Sequence, residues 1–349
     1  MKRTLIFRAD ADPEIGTGHV MRCLALAQAW QDTEGEVVFA AVDLPLPLVA
    51  RLEREQILFE QVRATVGSTG DASQTAEIVR RVGSEWVVVD GYRFPSSYYE
   101  HLRESGFKVL ALDDMAHLER YPVDVVLNQN LSATASAYSG RVEDDTKLLL
   151  GPSYSLLRRE FRVAARRIRS TAGSPRRVLV SFGGGDVVNF TGEILRNLIR
   201  SGRKDFEVVV LAGAANPNVF ALRQLASTAA FSCMIQVNAE NVAAVMNWAD
   251  VAITAAGSTV WELAGMNVPA LIGGFEENQL VGLKALGKIP IFRAWPIEEL
   301  LTRDLAGELD RQPVATGVHL TGFDAQGSVR VVDWLQTVGA QNRKLLSPV

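Results

Sequence analysis

Short apolar runs alternate with amphipathic stretches along most of this chain. In the first half the runs Leu5–Phe7, Val37–Ala41, Ile57–Gln61, Trp86–Asp90, Val109–Leu112 and Val125–Leu127 read as strands. The stretches His19–Gln31, Pro47–Glu55, Thr75–Val82 and Ser97–Glu104 have helical spacing and separate most of them. Repeated strand, helix, strand predicts a parallel sheet with helices on both faces. The strand runs are apolar throughout rather than alternating, as expected of strands covered on both sides.

The stretch "RVAARRIRSTAGSPRR" then interrupts the pattern. It is basic, carries Gly173, Ser174 and Pro175, and reads as a linker near 165–176. Beyond it the alternation restarts with strands at Val178–Phe182, Val208–Leu211, Met234–Gln236, Val251–Thr254 and Ala270–Ile272. Helices are expected at Thr191–Ser201, Val219–Thr228 and Glu240–Trp248. The expected organisation is an α/β domain over residues 1–165, a second over 176–335, and a tail over 336–349. A chain of 349 residues is too long for one ordinary core and agrees with two. Ligands of such sheets bind beyond the carboxyl ends of the strands, and with two domains the expected site is a cleft where they face each other.

Composition narrows the function classes. Charged residues are 22% and hydrophobic residues 48%, with a net charge of −4. No run of five basic residues occurs, which argues against nucleic acid as a partner. No stretch approaches the roughly 18 apolar residues that cross a bilayer, and the first apolar run is too short for a signal-peptide core. The 2 cysteines, Cys23 and Cys233, build neither a disulfide framework nor a zinc spacing. The expectation is a cytoplasmic protein with no cofactor and no metal, acting on a small molecule. Its oligomeric state is left open.

The candidate chemistry lies just after strands. "EIGTGHVMRCLALA" puts Gly16, Gly18 and His19 at the mouth of an apolar helix directly after the first strand. The glycines let backbone approach a ligand closely, and an imidazole there suits a general base. Arg22 of the same stretch joins the expected substrate-binding set. "VVVDGYRF" and "ALDDMAH" place Asp90, Tyr92, Asp113 and Asp114 at two further strand ends. Asp10 is the second candidate base, or a residue that orients His19, although turn capping also explains it. Of the 4 histidines, His101, His117 and His319 read as surface residues. In the second half, Gly183 and Gly184 of "SFGGGD" read either as a phosphate-approaching loop or as a tight turn with Asp186 as cap. "AAGSTVWELAG" sets Gly257, Ser258 and Thr259 at a helix start suited to a diphosphate, with Ser258 as N-cap. Glu262 is placed to accept from vicinal ribose hydroxyls. Asn278 and Gln279 of "ENQ" can read sugar hydroxyl or acetamido groups.

Taken in order, "RADADPEIGTGHVMRCLALA", "VVDGYRF", "LDDMAH", "VLNQNL", "LLGPSYSLLRREF", "VSFGGGD", "AAGSTVWELAGMNVPAL", "ENQ" and "FDAQGSVRVV" resemble the UDP-2,4-diacetamido-2,4,6-trideoxy-β-L-altropyranose hydrolases of pseudaminic acid biosynthesis. The resemblance runs over roughly residues 3 to 335, and G-x-G-H-V-M-R-C is its most specific part. A-G-S-T-x-x-E-L is shared more widely with GT-B UDP-sugar glycosyltransferases, including the MurG type. The resemblance implies a GT-B fold, two Rossmann-like domains with parallel sheets facing a central cleft and UDP held mainly by the C-terminal one. It matches His19 to the family's proposed base, Tyr92 and Asn278 to active-site positions, and Gly257, Ser258 and Glu262 to the nucleotide segment. It further implies metal-independent, inverting hydrolysis at the anomeric carbon. The closing "FDAQGSVRVV" departs from the family's Asp-Gly-x-Gly-Ala-x-Arg, with Ala325 for glycine and Ser328 for alanine. The alternatives are a GT-B glycosyltransferase, which would need an acceptor, and a UDP-sugar binding module without turnover.

Overall fold

A computed structural model describes residues 3–12, 15–164, 176–213, 216–312 and 322–346. The chain divides into two units. One comprises Met1–Asp12, His19–Arg159 and Gly322–Val349; the other comprises Pro13–Gly18 and Glu160–Thr321.

The first unit is built on seven strands: β1 (Thr4–Ala9), β2 (Glu36–Ala41), β3 (Leu58–Gln61), β4 (Trp86–Asp90), β5 (Lys108–Leu112), β6 (Val125–Asn128) and β7 (Lys147–Leu150). They lie in the order β3-β2-β1-β4-β5-β6-β7 and pair in parallel. The second unit carries β8 (Arg177–Ser181), β9 (Glu207–Ala212), β10 (Ser232–Val237), β11 (Val251–Ala255), β12 (Ala270–Gly274) and β13 (Phe292–Pro296). Their order is β10-β9-β8-β11-β12-β13, again parallel. Both sheets are doubly wound. The order reverses between β1 and β4 in one and between β8 and β11 in the other, and ligands bind at such reversals.

The expected central strands are present and buried on both faces. β7 and β13 have no counterpart in the sequence reading. "KLLL" follows an acidic turn, and "FRAWP" mixes charge and proline into a strand, so neither reads as an apolar run. The edge strands β3 and β10 are not covered on both faces: Leu58 is 68% exposed and Met234 61%. The predicted linker at 165–176 falls almost wholly outside the described residues, as does His319.

The sequence pattern places residues to 335 with the second domain and 336–349 in a tail. The contacts group the chain from Gly322 onward with the first unit instead. Gly327–Leu346 is one helix, and Val331, Val332 and Leu335 join the core against Trp86, Leu24 and Leu156. The motif "FDAQGSVRVV" explains the docking. A Cβ on Gly327 would fall 2.3 Å from the Ser155 carbonyl oxygen, so only glycine lets the helix start meet that backbone. The Ser328 hydroxyl accepts from the Leu157 N–H at 3.1 Å and reaches the Leu157 carbonyl at 3.3 Å. Arg330 donates to the Ser153 carbonyl at 2.7 Å. Ala325 sits at φ 65. A Cβ disfavours this left-handed region by about 1–2 kcal/mol, while glycine loses more chain entropy on folding, about 0.4–1 kcal/mol. Ala325→Gly is therefore expected to stabilise the protein by about 0.5–1 kcal/mol in chemical denaturation. A loss of stability instead would mean that the buried methyl outweighs the strain.

Candidate functional site

β1 ends at Ala9, and helix Gly18–Gln31 begins a short loop later, so His19 enters at the carboxyl end of β1. Asp90 is the last residue of β4, the neighbour of β1 at the reversal point. The register therefore delivers imidazole and carboxylate to one place. His19 Nδ1 lies 2.7 Å from Asp90 Oδ1, with both side chains buried. An ionised carboxylate only accepts, so Nδ1 carries a hydrogen, and in the neutral ring Nε2 presents the lone pair. No hydrogen bond is made to that Nε2 among the described residues.

Arg22 organises the rest. It lies three residues after His19 and thus on the same helix face. Its Nε and Nη2 each donate to Asp90 at 2.6 Å, and Nη1 donates to both oxygens of Asp114 at 2.8 Å. The Tyr92 hydroxyl donates to Asp114 at 2.6 Å, and Asn130 to the same carboxylate at 3.0 Å. The Tyr92 ring meets His19 edge-on, centroids 4.9 Å apart. His19, Asp90, Arg22, Asp114 and Tyr92 thus form a closed circuit of contacts. Arg22, expected among substrate-binding residues, instead turns inward and spends its donors on two carboxylates.

Burial works to raise the pKa of Asp90, but the charges and hydrogen bonds of Arg22 and His19 outweigh it and hold the group well below the usual carboxylate range. Burial and then the Asp114 charge push the Tyr92 phenol up, so it remains a donor. Neither thiol is poised as a nucleophile: burial raises Cys23, and it raises Cys233 to about 11. The sign of the Asp90 shift fixes a stability test. A depressed folded value means the stabilisation is complete above the unfolded value, about 3.9, and is lost as pH falls toward the folded one. The melting temperature is expected to fall below about pH 4, with a shallower fall in Asp90→Asn. Equal acid slopes in the two proteins would contradict the pairing.

Asp10 does not reach this circuit. Its Oδ1 accepts from the Val42 and Asp43 N–H groups at 2.7 and 3.1 Å, and its Oδ2 faces Arg8 Nη1 at 2.8 Å. The carboxylate on His19 belongs to Asp90, and Asp10 is a buried structural anion. Sequence reading passed over Arg8 altogether. It is fully buried in β1, clamps Asp71 with two bonds of 3.0 and 2.7 Å, and lies over the Phe94 ring.

In the second unit the tight-turn reading of "SFGGGD" describes the geometry. Gly183 takes φ 86. The Asp186 carboxylate accepts from the Phe190 and Thr191 N–H groups at 2.8 and 2.9 Å. Asn189 accepts from Gly192 at 3.1 Å. The helix-start donors that a phosphate would use beside Gly183 and Gly184 are thereby taken. After β11, helix Thr259–Gly265 follows Gly257 as expected. Ser258 occupies the N-cap position but at φ −58, ψ −24, with no side-chain cap bond, so it does not cap as predicted. Thr259 and Glu262 are half-buried. A Cβ on Gly16, Gly18 or Gly257 would meet nothing within 4 Å, so no packing contact demands these glycines. Asn278 stands half-buried in the first turn of helix Glu277–Leu286. Gln279 accepts from the Phe275 N–H at 3.3 Å and closes that turn.

Two doubly wound parallel domains of this kind define the GT-B fold. Among solved structures the chain is similar to Acinetobacter baumannii MurG, with a TM-score of 0.60 at 18% identity over 97% of this chain and 100% of that one. No family model matches. In sequence it is 28% identical over 261 residues to the UDP-2,4-diacetamido-2,4,6-trideoxy-beta-L-altropyranose hydrolase of Campylobacter jejuni, 74% of this chain and 86% of that protein. It is also 26% identical over 348 residues to the spore coat polysaccharide biosynthesis protein SpsG of Bacillus subtilis, 95% of this chain and 98% of that protein. Among the described residues no helix is long and apolar enough to cross a membrane.

Proposed function

We propose that this protein is a UDP-sugar-processing enzyme, and specifically a hydrolase of a UDP-linked 2,4-diacetamido-2,4,6-trideoxyhexose acting in the cytoplasm. The observation that carries the chemistry is the buried 2.7 Å contact of His19 Nδ1 with Asp90, with Arg22 holding the carboxylate ionised. In this reading His19 Nε2 takes a proton from water as the water oxygen attacks the anomeric carbon. The bond from that carbon to the diphosphate oxygen breaks, and its electron pair leaves with UDP. Asp90 fixes the tautomer and stabilises the imidazolium, which later returns its proton to solvent. UDP is a good leaving group once its charge is met by N–H donors, so a second carboxylate as general acid is not needed.

UDP is assigned to Gly257, Ser258, Thr259 and Glu262, with Asn278 on the sugar. Support comes from the hydrolase relative and from glycines that no packing contact explains. Gly257→Ala is expected to keep the melting temperature within a degree or two while weakening UDP binding about tenfold, read by calorimetry. The function is tested by incubating the protein with the UDP-sugar and following UDP and free sugar by NMR. Release of both without an acceptor supports hydrolysis. Turnover only when a sugar or lipid acceptor is added would favour a glycosyltransferase, the other chemistry this fold hosts.

A further inference from the structure

A second histidine–carboxylate pair stands beside the first. His117 lies in the turn after β5, four residues beyond Asp113, and its Nδ1 is 3.1 Å from Asp113 Oδ1. Asp113 is buried, and its other oxygen accepts from the Tyr138 hydroxyl at 2.6 Å and the Ala116 N–H at 2.7 Å. Burial acts to raise its pKa, but these hydrogen bonds, led by that of His117, prevail and hold it below the usual range. The carboxylate is thus an anchored anion. It fixes a hydrogen on Nδ1 of His117, so that in the neutral ring the lone pair is on Nε2, on the far side. Nε2 has no hydrogen-bond partner among the described residues. The ring is held firmly. Ala116 just before it takes a left-handed φ of 52, and Tyr92 and Tyr121 both meet the ring edge-on, at 5.7 and 6.4 Å.

The same Tyr92 ring also meets His19 edge-on. Two imidazoles, each with Nδ1 on a buried aspartate, therefore lean on one phenol. A histidine serving only to pack has no need of an oriented tautomer, and the side chain is still 26% exposed. We propose that His117 is a substrate-contacting residue, its Nε2 accepting a hydrogen bond from an N–H or O–H on the sugar held beside His19. This rests on the UDP-sugar reading above. It assigns to His117 the recognition of the sugar rather than of the nucleotide.

Three variants separate this from a structural role. His117→Asn keeps a donor near Nδ1 for Asp113 and loses Nε2. His117→Gln reaches the Nε2 position with its carbonyl oxygen. His117→Ala loses both. The expected result is a tenfold or greater fall in kcat/KM for Asn and Ala, partial recovery for Gln, and an unchanged Kd for UDP alone. Recovery by Asn but not Gln, a matching loss of UDP affinity, or wild-type behaviour in all three would overturn the proposal. Should the wild type bind the UDP-sugar without turning it over, the hydrolase reading fails. The proposal is then judged on the ratio of UDP-sugar to UDP affinity, which the Asn variant should bring toward one. Failure of the wild type to bind the UDP-sugar more tightly than UDP overturns it.

Discussion

Replacing His19 by asparagine is expected to lower the rate constant of the proposed UDP-sugar hydrolysis by about a hundred- to ten-thousandfold, the range that a positioned general base supplies. Asparagine is the informative choice. Its amide N–H can stand where Nδ1 stood, 2.7 Å from Asp90, so the carboxylate keeps a donor and Arg22 keeps its anchor. Only Nε2 is removed. KM and UDP affinity should change little, and the melting temperature should stay close to that of the wild type. Undiminished turnover would remove His19 as the base and leave the circuit a structural device.

The largest stability loss is expected at Arg8. Its guanidinium lies wholly inside the first unit with Asp71 and Asp10, and Tyr98 and Thr75 add hydrogen bonds to Asp71. Arg8→Met leaves two carboxylates buried without their cation, which costs about 3–5 kcal/mol. For a cooperative unit of about 150–250 residues, such as the first unit, that is a fall in melting temperature of about 10 °C. Adding Asp71→Asn to Arg8→Met removes one stranded charge and should recover part of the loss, since contacting partners are not additive. If the double variant is worse by the full sum of both single changes, the ion pair is not what holds this region.

Much of the arrangement could be read before the fold was seen, because it follows from where strands end. His19, Asp90, Tyr92, Asp113 and Asp114 each stand just past an apolar run, and a parallel sheet gathers such positions at one edge. Partner choice was less legible. Asp10 and Asp90 look alike in sequence, each an aspartate closing an apolar strand. Only the sheet order decides which meets the helix carrying His19 and which turns to the loop after β2. Arg22 carried a usable signal, since a residue three after His19 shares its helix face. Arg8 carried another: a charge inside "TLIFRAD" on a central strand must find buried partners. His117 gave little sign, because a polar turn lacks the periodicity that marks a direction. The departure at Ser328 bears on how the last helix docks, since its hydroxyl bonds the Leu157 backbone.

That docking bears on how the chain is made. The first unit is completed by Val331, Val332 and Leu335, residues translated only after every strand of the second unit. While the second unit is being synthesised, the face carrying Trp86 and Leu24 lacks its last covering layer, although the full His19 circuit has already left the ribosome. The usual order in which an N-terminal domain finishes folding before the next one emerges is closed to this protein. A premature stop before Gly322 would leave the unit that carries His19 and His117 without the layer of Val331, Val332 and Leu335 over its core.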